Sequence, residues 1–569
     1  MAGQYSGPMS GAHTSAIGPT RPSLFWRCWL AVLLATIAVG CASLPSNAAR
    51  VPSNAFAAPE QTAFGQLMQE RRQRANARSD SGFHLLASVN EAFTSRIALI
   101  QGAQRALDLQ YYAIHADRST EILLQGLRDA ARRGVRVRIL LDDFNTVGKD
   151  AQVLRLAFEP NVEIRLFNPL PGSRRSLVGH IVTSLHDMDR VQKRMHNKLF
   201  IADNAIGITG GRNLGDAYFG SDDKSNFVDT DILATGRVVR DMSASFDRFW
   251  NDRLAYPMQA LMSAQELEAL RHPAEDAQPA AAAAASATAV PAVHAITGSP
   301  TVLPNVTATA AITPARQPMD LRQVPLVWAP AVVLADEPGK IGPDDDEADA
   351  GETVVDGLMA LMRQARQDVL IVSPYFVPGQ AMMQVFRELH ARGVRVRVLT
   401  NSLASNDAPA AHAGYARYRR KLLEEGIELY EMRATQEGNP AGLGSTPLPG
   451  SGGGGSKSGA SRASLHTKAM LIDQHLTVIG SMNLDLRSQR KNSEVGLLIR
   501  SGRLAREAAQ LIDETLAHGA YHVQLQQGHL LWQAPPGADF RTAHSEPDAS
   551  AKLRLLVRLI APFAPDEML

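Results

Sequence analysis

The stretch ARRGVRVRILLDD (131–143) returns as HARGVRVRVLTNS (390–402), and a second, longer block is also written twice. RMHNKLFIADNAIGITGGRN (194–213) and SLHTKAMLIDQHLTVIGSMN (464–483) share a pattern when numbered from His196 and His466. In both, a lysine falls at plus two, an aspartate at plus seven, a glycine at plus fourteen and an asparagine at plus seventeen. A chain that repeats a unit of roughly 200 residues must fold as two similar halves.

Each half reads as α/β. NEAFTSRIALIQGAQ (90–104) has helical apolar spacing and ALDLQYYAI (106–114) reads as a strand. STEILLQGLRDAARRG (119–134) is an amphipathic helix ending in glycine, followed by the buried strand VRVRILLDD (135–143). The second half repeats this with strand 368–377, helix 384–393 and strand 394–402. Strand–helix–strand alternation implies parallel pairing. The expected fold is therefore two pseudo-symmetric α/β/α halves packed around one shared site.

The chemistry lies in the repeated block. MHNKLFIAD and LHTKAMLID read as strands, on which positions i and i+2 share a face. His196 then points with Lys198, and His466 with Lys468. The following GGRN and GSMN segments read as turns, where glycine admits close backbone approach and Asn213 or Asn483 can donate an amide hydrogen bond. Imidazole, ammonium and amide together suit a phosphate. Two copies facing each other permit double displacement at a phosphodiester, one histidine attacking phosphorus while the other protonates the departing alkoxide. The lysines and asparagines would steady charge on the equatorial oxygens, so no metal and no cofactor is expected. Each histidine also needs a carboxylate to fix its tautomer, for which Asp231 in FVDTDILATG and Glu494 in KNSEVGLLI stand as candidates.

The doubled pattern H-x-K-x4-D-x6-G-[GS]-x-N resembles the signature of the phospholipase D superfamily, over about residues 82 to 533. The resemblance implies two α/β/α halves meeting at one site, and a metal-independent phosphohistidine mechanism. It places His196, Lys198, Asn213, His466, Lys468 and Asn483 in the catalytic and substrate-binding set. Asp203 and Asp473 join the catalytic motif as members that pin its geometry, and His196 is taken as nucleophile with His466 as acid. RMHNKLFIADNAIGITGGRNLGDAYFG, FVDTDILATG and NDAPAAHAGYARYRRKLLEEGIELYE are similar to bacterial cardiolipin synthases of the GGRN type. That similarity implies a phosphatidyltransferase acting on phosphatidylglycerol, with phosphatidylethanolamine as a second candidate, at a membrane surface. Hydrolysis to phosphatidic acid, or cleavage of another phosphodiester such as nucleic acid, is the alternative on the same scaffold. A non-catalytic lipid-binding protein is a third.

The N-terminal stretch RPSLFWRCWLAVLLATIAVGC (21–41) is an address rather than part of the fold. Its basic start runs into 13 residues, Cys28 to Gly40, whose only polar member is Thr36. That is short of the about 20 apolar residues a membrane span needs. AVGC resembles the bacterial lipoprotein box, which makes Cys41 the lipidation candidate and places the body in the bacterial cell envelope, exported and membrane-associated. Cys28 and Cys41 are the only cysteines of 569 residues, so the remainder can hold neither a disulfide nor a cysteine metal site. A net charge of +1 supplies no general attraction to polyanions, so no nucleic-acid partner is expected.

These readings divide the chain into a signal-type segment (1–41), a tether with one helix (42–80), a first half (81–272), a low-complexity linker (273–322), a second half (323–535) and a tail (536–569). A Gly/Ser-rich insertion (438–461) enters just before the second motif. Tyr111, Tyr112, Tyr375 and Phe376 lie at the ends of matching strands, where they either pack in the core or line an entrance. His412 and Tyr415 are candidates to approach a headgroup. In the tail, KLRLLVRLIAPF (552–563) can either lie in a membrane interface or dock on the domain.

Overall fold

The computed structural model describes residues 44–47, 50–146, 148–170, 187–222, 225–271, 317–342, 353–435, 443 and 462–563, besides Gly3. The apolar segment ending at Cys41, most of the low-complexity linker and nearly all of the Gly/Ser-rich insertion lie outside them. Among the described residues, no helix is long and apolar enough to cross a membrane.

Among the described residues, eleven strands precede residue 330: β1 (Ser81–Leu86), β2 (Ala106–Tyr111), β3 (Arg136–Asp142), β4 (Val162–Phe167), β5 (Arg194–Met195), β6 (Leu199–Ala202), β7 (Ile206–Gly210), β8 (Ser225–Val228), β9 (Asp231–Gly236), β10 (Ala255–Pro257) and β11 (Val327–Trp328). Eleven follow: β12 (Ala331–Ala335), β13 (Asp368–Val372), β14 (Arg395–Asn401), β15 (Glu428–Met432), β16 (Arg462–Leu465), β17 (Ala469–Ile472), β18 (Leu476–Gly480), β19 (Asn492–Ser493), β20 (Val495–Arg500), β21 (Ala520–Gln526) and β22 (His529–Gln533). Eighteen of them build two nine-stranded sheets, ordered β10-β4-β3-β2-β6-β7-β9-β1-β11 and β12-β20-β18-β17-β13-β14-β15-β21-β22. In each, a parallel trio (β2-β3-β4 or β13-β14-β15) is continued by an antiparallel run holding the motif hairpin. The repeat in the sequence is thus a repeat in topology.

Local signals explain the elements. The helix Val89–Gly102 starts on a capping box, with Ser88 and Glu91 exchanging side-chain and backbone hydrogen bonds. The helix Arg118–Arg132 is capped by Asp117 and buries Leu123, Leu124, Leu127, Ala130 and Ala131, which recur at helical spacing. It and the matching helix Gly379–Ala391 both stop two residues before a glycine at positive φ, Gly134 (93°) and Gly393 (74°). A side chain there would be strained, so the shared R-G-V spelling ends both helices alike.

Three cores result. One lies under the outer helices of the first sheet and one under those of the second. The third joins the sheets, combining Leu199, Ile201 and Val228 with Leu370, Leu465 and Leu497, and with the helices Arg237–Trp250 and Gly502–His518. The halves are fused along this apolar layer.

Two boundaries differ from the sequence reading. Residues 44–80 run along the first half rather than hanging as a tether. The Arg138 guanidinium donates to Ser53 O at 2.8 Å, Asp247 accepts from Ala55 N at 2.8 Å, and Phe64 and Met68 join the core. Polar composition hid the contacts made before residue 57 because many of them go to backbone groups. Residues 317–329 also belong to the first half, since β11 pairs with β1 and Met319 N donates to Thr94 O.

Candidate active site

Each histidine stands where a ribbon between the halves hands over to a sheet. β5 pairs with β19 and β8 with β16, both in parallel, so each two-stranded ribbon takes one strand from each half. The expectation of continuous strands through the motifs is therefore corrected. Residues 196–198 and 466–468 leave the ladder between β5 and β6 and between β16 and β17. The reason is that the histidine amides bond across the boundary, His196 N to Ser493 O at 2.9 Å and His466 N to Val228 O at 2.8 Å.

The rings cross over in the same way. His196 Nδ1 lies 3.0 Å from Glu494 Oε2, and His466 Nδ1 lies 2.7 Å from Asp229 Oδ2. All four side chains are buried or nearly so. Glu494 also accepts from the Ser488 hydroxyl at 2.9 Å and from the Ser481 hydroxyl. Asp229 also accepts from Thr230 N at 2.8 Å. Each carboxylate stays below its ordinary pKa: burial opposes ionisation, but the histidine partner overcomes it. Burial lowers both imidazoles, His196 to about 4. A neutral imidazole donating Nδ1–H to a carboxylate leaves Nε2 as a free nucleophile or base.

Asp231, expected as a histidine partner, is not one. It accepts from Arg96 at 2.9 Å and lies 3.4 Å from the Arg212 guanidinium, a buried structural cluster. Asp229 takes the histidine because it precedes β9, on the ribbon side, whereas Asp231 is the first residue of β9 and faces the first-half core. A sequence signal does separate the two. The helices after β9 and β20 have N-caps Gly236 and Ser501, and counting seven residues back from each reaches Asp229 and Glu494.

Lys198 Nζ donates to His196 O at 2.8 Å, and Lys468 Nζ donates to His466 O at 2.7 Å. Burial, with the other lysine's charge adding to it for Lys198, pushes Lys198 down to about 7; burial pushes Lys468 down to about 8. His196 also feels the charge of Lys468, so both motifs act on one electrostatic space. Asn213 Nδ2 donates to the Tyr218 hydroxyl at 3.0 Å, and Asn483 N donates to the Ser488 hydroxyl at 3.3 Å. The Asn483 side-chain oxygen is buried without a partner.

Asp203 and Asp473 stand apart from this cluster. Both take left-handed backbone, φ 54° and 49°, in the turn of the motif hairpin. A short polar side chain tolerates that region best. Asp203 accepts from the amides of Gln104, Arg105 and Ala106, and Asp473 from those of Arg366, Gln367 and Asp368. Each carboxylate thereby fastens the hairpin to the start of the parallel trio.

At the opposite end of that trio, Asp142 and Asn401 close β3 and β14. Asp142 accepts from Met195 N and Asn401 from Leu465 N, both at 2.8 Å, gripping the residue before each histidine. The sequence reading missed this pair although each is the last residue but one of VRVRILLDD and VRVRVLTNS.

Aromatic rings line the approach. Tyr112 stands 5.2 Å from His196 and 5.8 Å from the Lys198 ammonium, while Tyr218 and Phe227 stand 5.3 and 4.9 Å from His466. Tyr111 and Phe376 pack in the core instead, and the Tyr375 hydroxyl donates to Asp407. Of the four strand-end aromatics, one faces a histidine. His412 and Tyr415 lie in a separate buried network with Arg419, Glu431 and Glu546.

The matching family model is the cardiolipin synthase, PLD-like domain, over residues 97–250 and 358–516. This chain belongs to the phospholipase D superfamily. It is an enzyme of that superfamily's phosphatidyltransferase and phosphodiesterase kind. Cardiolipin synthase C of Escherichia coli (strain K12) is 35% identical over 484 residues, covering 84% of this chain and 94% of that one. An uncharacterized protein of Helicobacter pylori (strain J99) is 29% identical over 542 residues, covering 93% and 97%. In fold, the chain matches the crystal structure of phosphatidylserine synthase from Haemophilus influenzae with a TM-score of 0.51 at 14% identity, over 88% of this chain and 99% of that one. The two structures share the two-half fold.

Proposed function

We propose that this phospholipase D superfamily member is a cardiolipin synthase-like phosphatidyltransferase working through a phosphohistidine. The observation that carries the reading is the crossed pair of histidine–carboxylate dyads, one neutral nucleophile and one proton carrier, each completed by the opposite half. The 35% identity to a cardiolipin synthase over most of both chains supports the lipid substrate.

In the first step His196 Nε2 bonds to phosphorus while Glu494 holds the Nδ1 proton and takes up the growing positive charge. The leaving alkoxide takes a proton from His466. The substrate-free His466 is held neutral, and the diester's negative charge beside Lys468 raises its proton affinity as substrate arrives. Lys198, Lys468, Asn213 and Asn483 face the phosphoryl oxygens. In the second step His466 removes the proton from an acceptor hydroxyl, that oxygen bonds to phosphorus, and the P–N bond to His196 breaks. An alcohol headgroup as acceptor gives cardiolipin or a relative, and water gives phosphatidic acid.

Phosphatidylglycerol is the proposed donor and acceptor, with phosphatidylethanolamine as a second donor. We place the enzyme on the membrane of the bacterial envelope, exported and anchored through Cys41. Incubation with phosphatidylglycerol, with and without phosphatidylethanolamine, should yield cardiolipin and released headgroup alcohol by chromatography, in EDTA as well as without it. Phosphatidic acid as sole product would replace transfer by hydrolysis, and absence of turnover would point to the lipid-binding reading.

A further inference from the structure

The tail resolves into a helix, Ala551–Ile560, capped by Ser550, whose hydroxyl accepts from Leu553 N. One face docks. Val557 packs with Leu403, Ala404 and Ala413, and Ile560 packs against Val377. The other face is left open: Leu555, Leu556 and Leu559 are 58%, 44% and 62% exposed. Leu555 and Leu559 are four apart and Leu556 and Leu559 three apart, so they form one stripe. Single exposed leucines are ordinary, but a contiguous stripe is not. Lys552 lies one turn before Leu555 and Leu556, Arg558 flanks them, and the helix carries no acid.

The helix sits at the end of the second half that holds the site. Leu403 is two residues beyond Asn401, which grips Leu465 next to His466. Val377 N donates to Leu484 O, next to Asn483. An apolar stripe edged by cations, on a rigid mount beside the phosphodiester site, has the chemistry of an interfacial helix. Exposed leucines enter the acyl boundary while lysine and arginine meet lipid phosphates.

We propose that the face Leu555–Leu556–Leu559, with Lys552 and Arg558, docks on the surface of a bilayer containing anionic phospholipid and so sets the site mouth against its substrate. The choice of a phospholipid bilayer rests on the phosphatidyltransferase reading above. Stable attachment to a membrane generally needs two signals, and this helix supplies one beside any N-terminal anchor.

The test uses the full chain. Leu559→Trp should gain emission that vesicles of phosphatidylglycerol with brominated acyl chains quench beyond wild type, and that aqueous iodide no longer reaches. The triple variant L555Q/L556Q/L559Q should lower turnover on phosphatidylglycerol vesicles about tenfold. Its turnover of dispersed short-chain phosphatidylglycerol should stay at the wild-type rate. An added indole that stays open to iodide on vesicles overturns the proposal, as does equal loss of both activities. Sedimentation showing a wild-type dimer that the triple variant abolishes would assign the face to a second copy instead. Should neither lipid form be turned over while the indole of Leu559→Trp inserts, the transferase reading fails and the docking surface stands.

Discussion

Nδ1 of His196 lies 3.0 Å from Oε2 of Glu494, although 298 residues of chain separate them and they belong to different halves. Because that carboxylate fixes the tautomer and offsets the imidazolium, Glu494→Gln should lower kcat by about 10³-fold to 10⁴-fold, as loss of a triad carboxylate does elsewhere. His196→Ala should abolish turnover, and adding Glu494→Gln to it should cost almost nothing more. Steady-state kinetics of the two single variants and the double would show this; additive losses would mean that Glu494 acts apart from His196.

Asp229 and Asp231 are two residues apart and should fail differently. Asp229→Asn removes the acceptor of His466 Nδ1, so kcat should fall by about 10²-fold or more with little change in melting temperature. Asp231→Asn leaves Arg96 and Arg212 facing a neutral amide in the core, which should cost about 3–5 kcal/mol. Calorimetry beside activity per folded molecule separates the two. A stable but inactive Asp231→Asn would move Asp231 from the core into the chemistry.

The contrast shows what the sequence could carry. Duplication and strand–helix alternation were enough to foresee two α/β halves, because hydrophobic period and helix-ending glycines act locally. His196, Lys198, His466 and Lys468 were legible because the spacing recurs. Which carboxylate meets which ring was not, because β5, β8, β16 and β19 pair across the halves, and no local period records such an exchange. Tyr218 and Phe227 were missed for the same reason, since both belong to the first half and meet His466 of the second only where the halves join. Residues 44–47 and 50–56 were misread because many of the bonds that hold them to the first half go to their backbone groups.

Position fifteen of the motif is glycine in one half and serine in the other, and the dyads explain why. A Cβ on Gly211 would lie 2.4 Å from Asp229 Oδ1, whereas Ser481 donates its hydroxyl to Glu494. Gly211→Ala should therefore push Asp229 off His466 and cost about 10²-fold in kcat. Ser481→Gly removes one of several donors and should cost about tenfold or less. Activity of the two variants, read beside their melting temperatures, tests the asymmetry. Equal losses would mean that the position acts through the backbone alone.

The motif aspartates should act on stability. Asp203 is fully buried and Asp473 half-buried, yet each binds three backbone amides. Asp203→Asn should destabilise by about 1–3 kcal/mol, and Asp473→Asn by less because water can replace part of its bonding. Both folded variants should keep most of their kcat. Chemical denaturation with parallel assays decides it, and a large loss of kcat in a stable variant would bring these carboxylates into the chemistry.

The pH profile follows from the charges the chemistry needs. For kcat/KM the free enzyme counts, and the diester's own single negative charge is fixed over the working range. Burial holds His196 down to about 4, so the nucleophile is neutral above that value and is lost by protonation below it. Burial also holds Lys198 at about 7 and Lys468 at about 8, so above these values the site loses the positive charge that meets the phosphate. His466 must carry its proton to serve as acid and burial holds it below the ordinary imidazole value, so the profile should rise through about 4, begin to fall below that ordinary value, and fall more steeply beyond about 7. Lys198→Arg keeps its charge at any working pH, so the steeper part of the fall should move from about 7 to about 8, where Lys468 titrates. In kcat, bound diester raises both lysines, and the limb should lie higher than in kcat/KM. An acid limb near the ordinary imidazole value of about 6.5 would show that His196 is not shielded by burial. A falling limb unmoved by Lys198→Arg would take Lys198 off the phosphate.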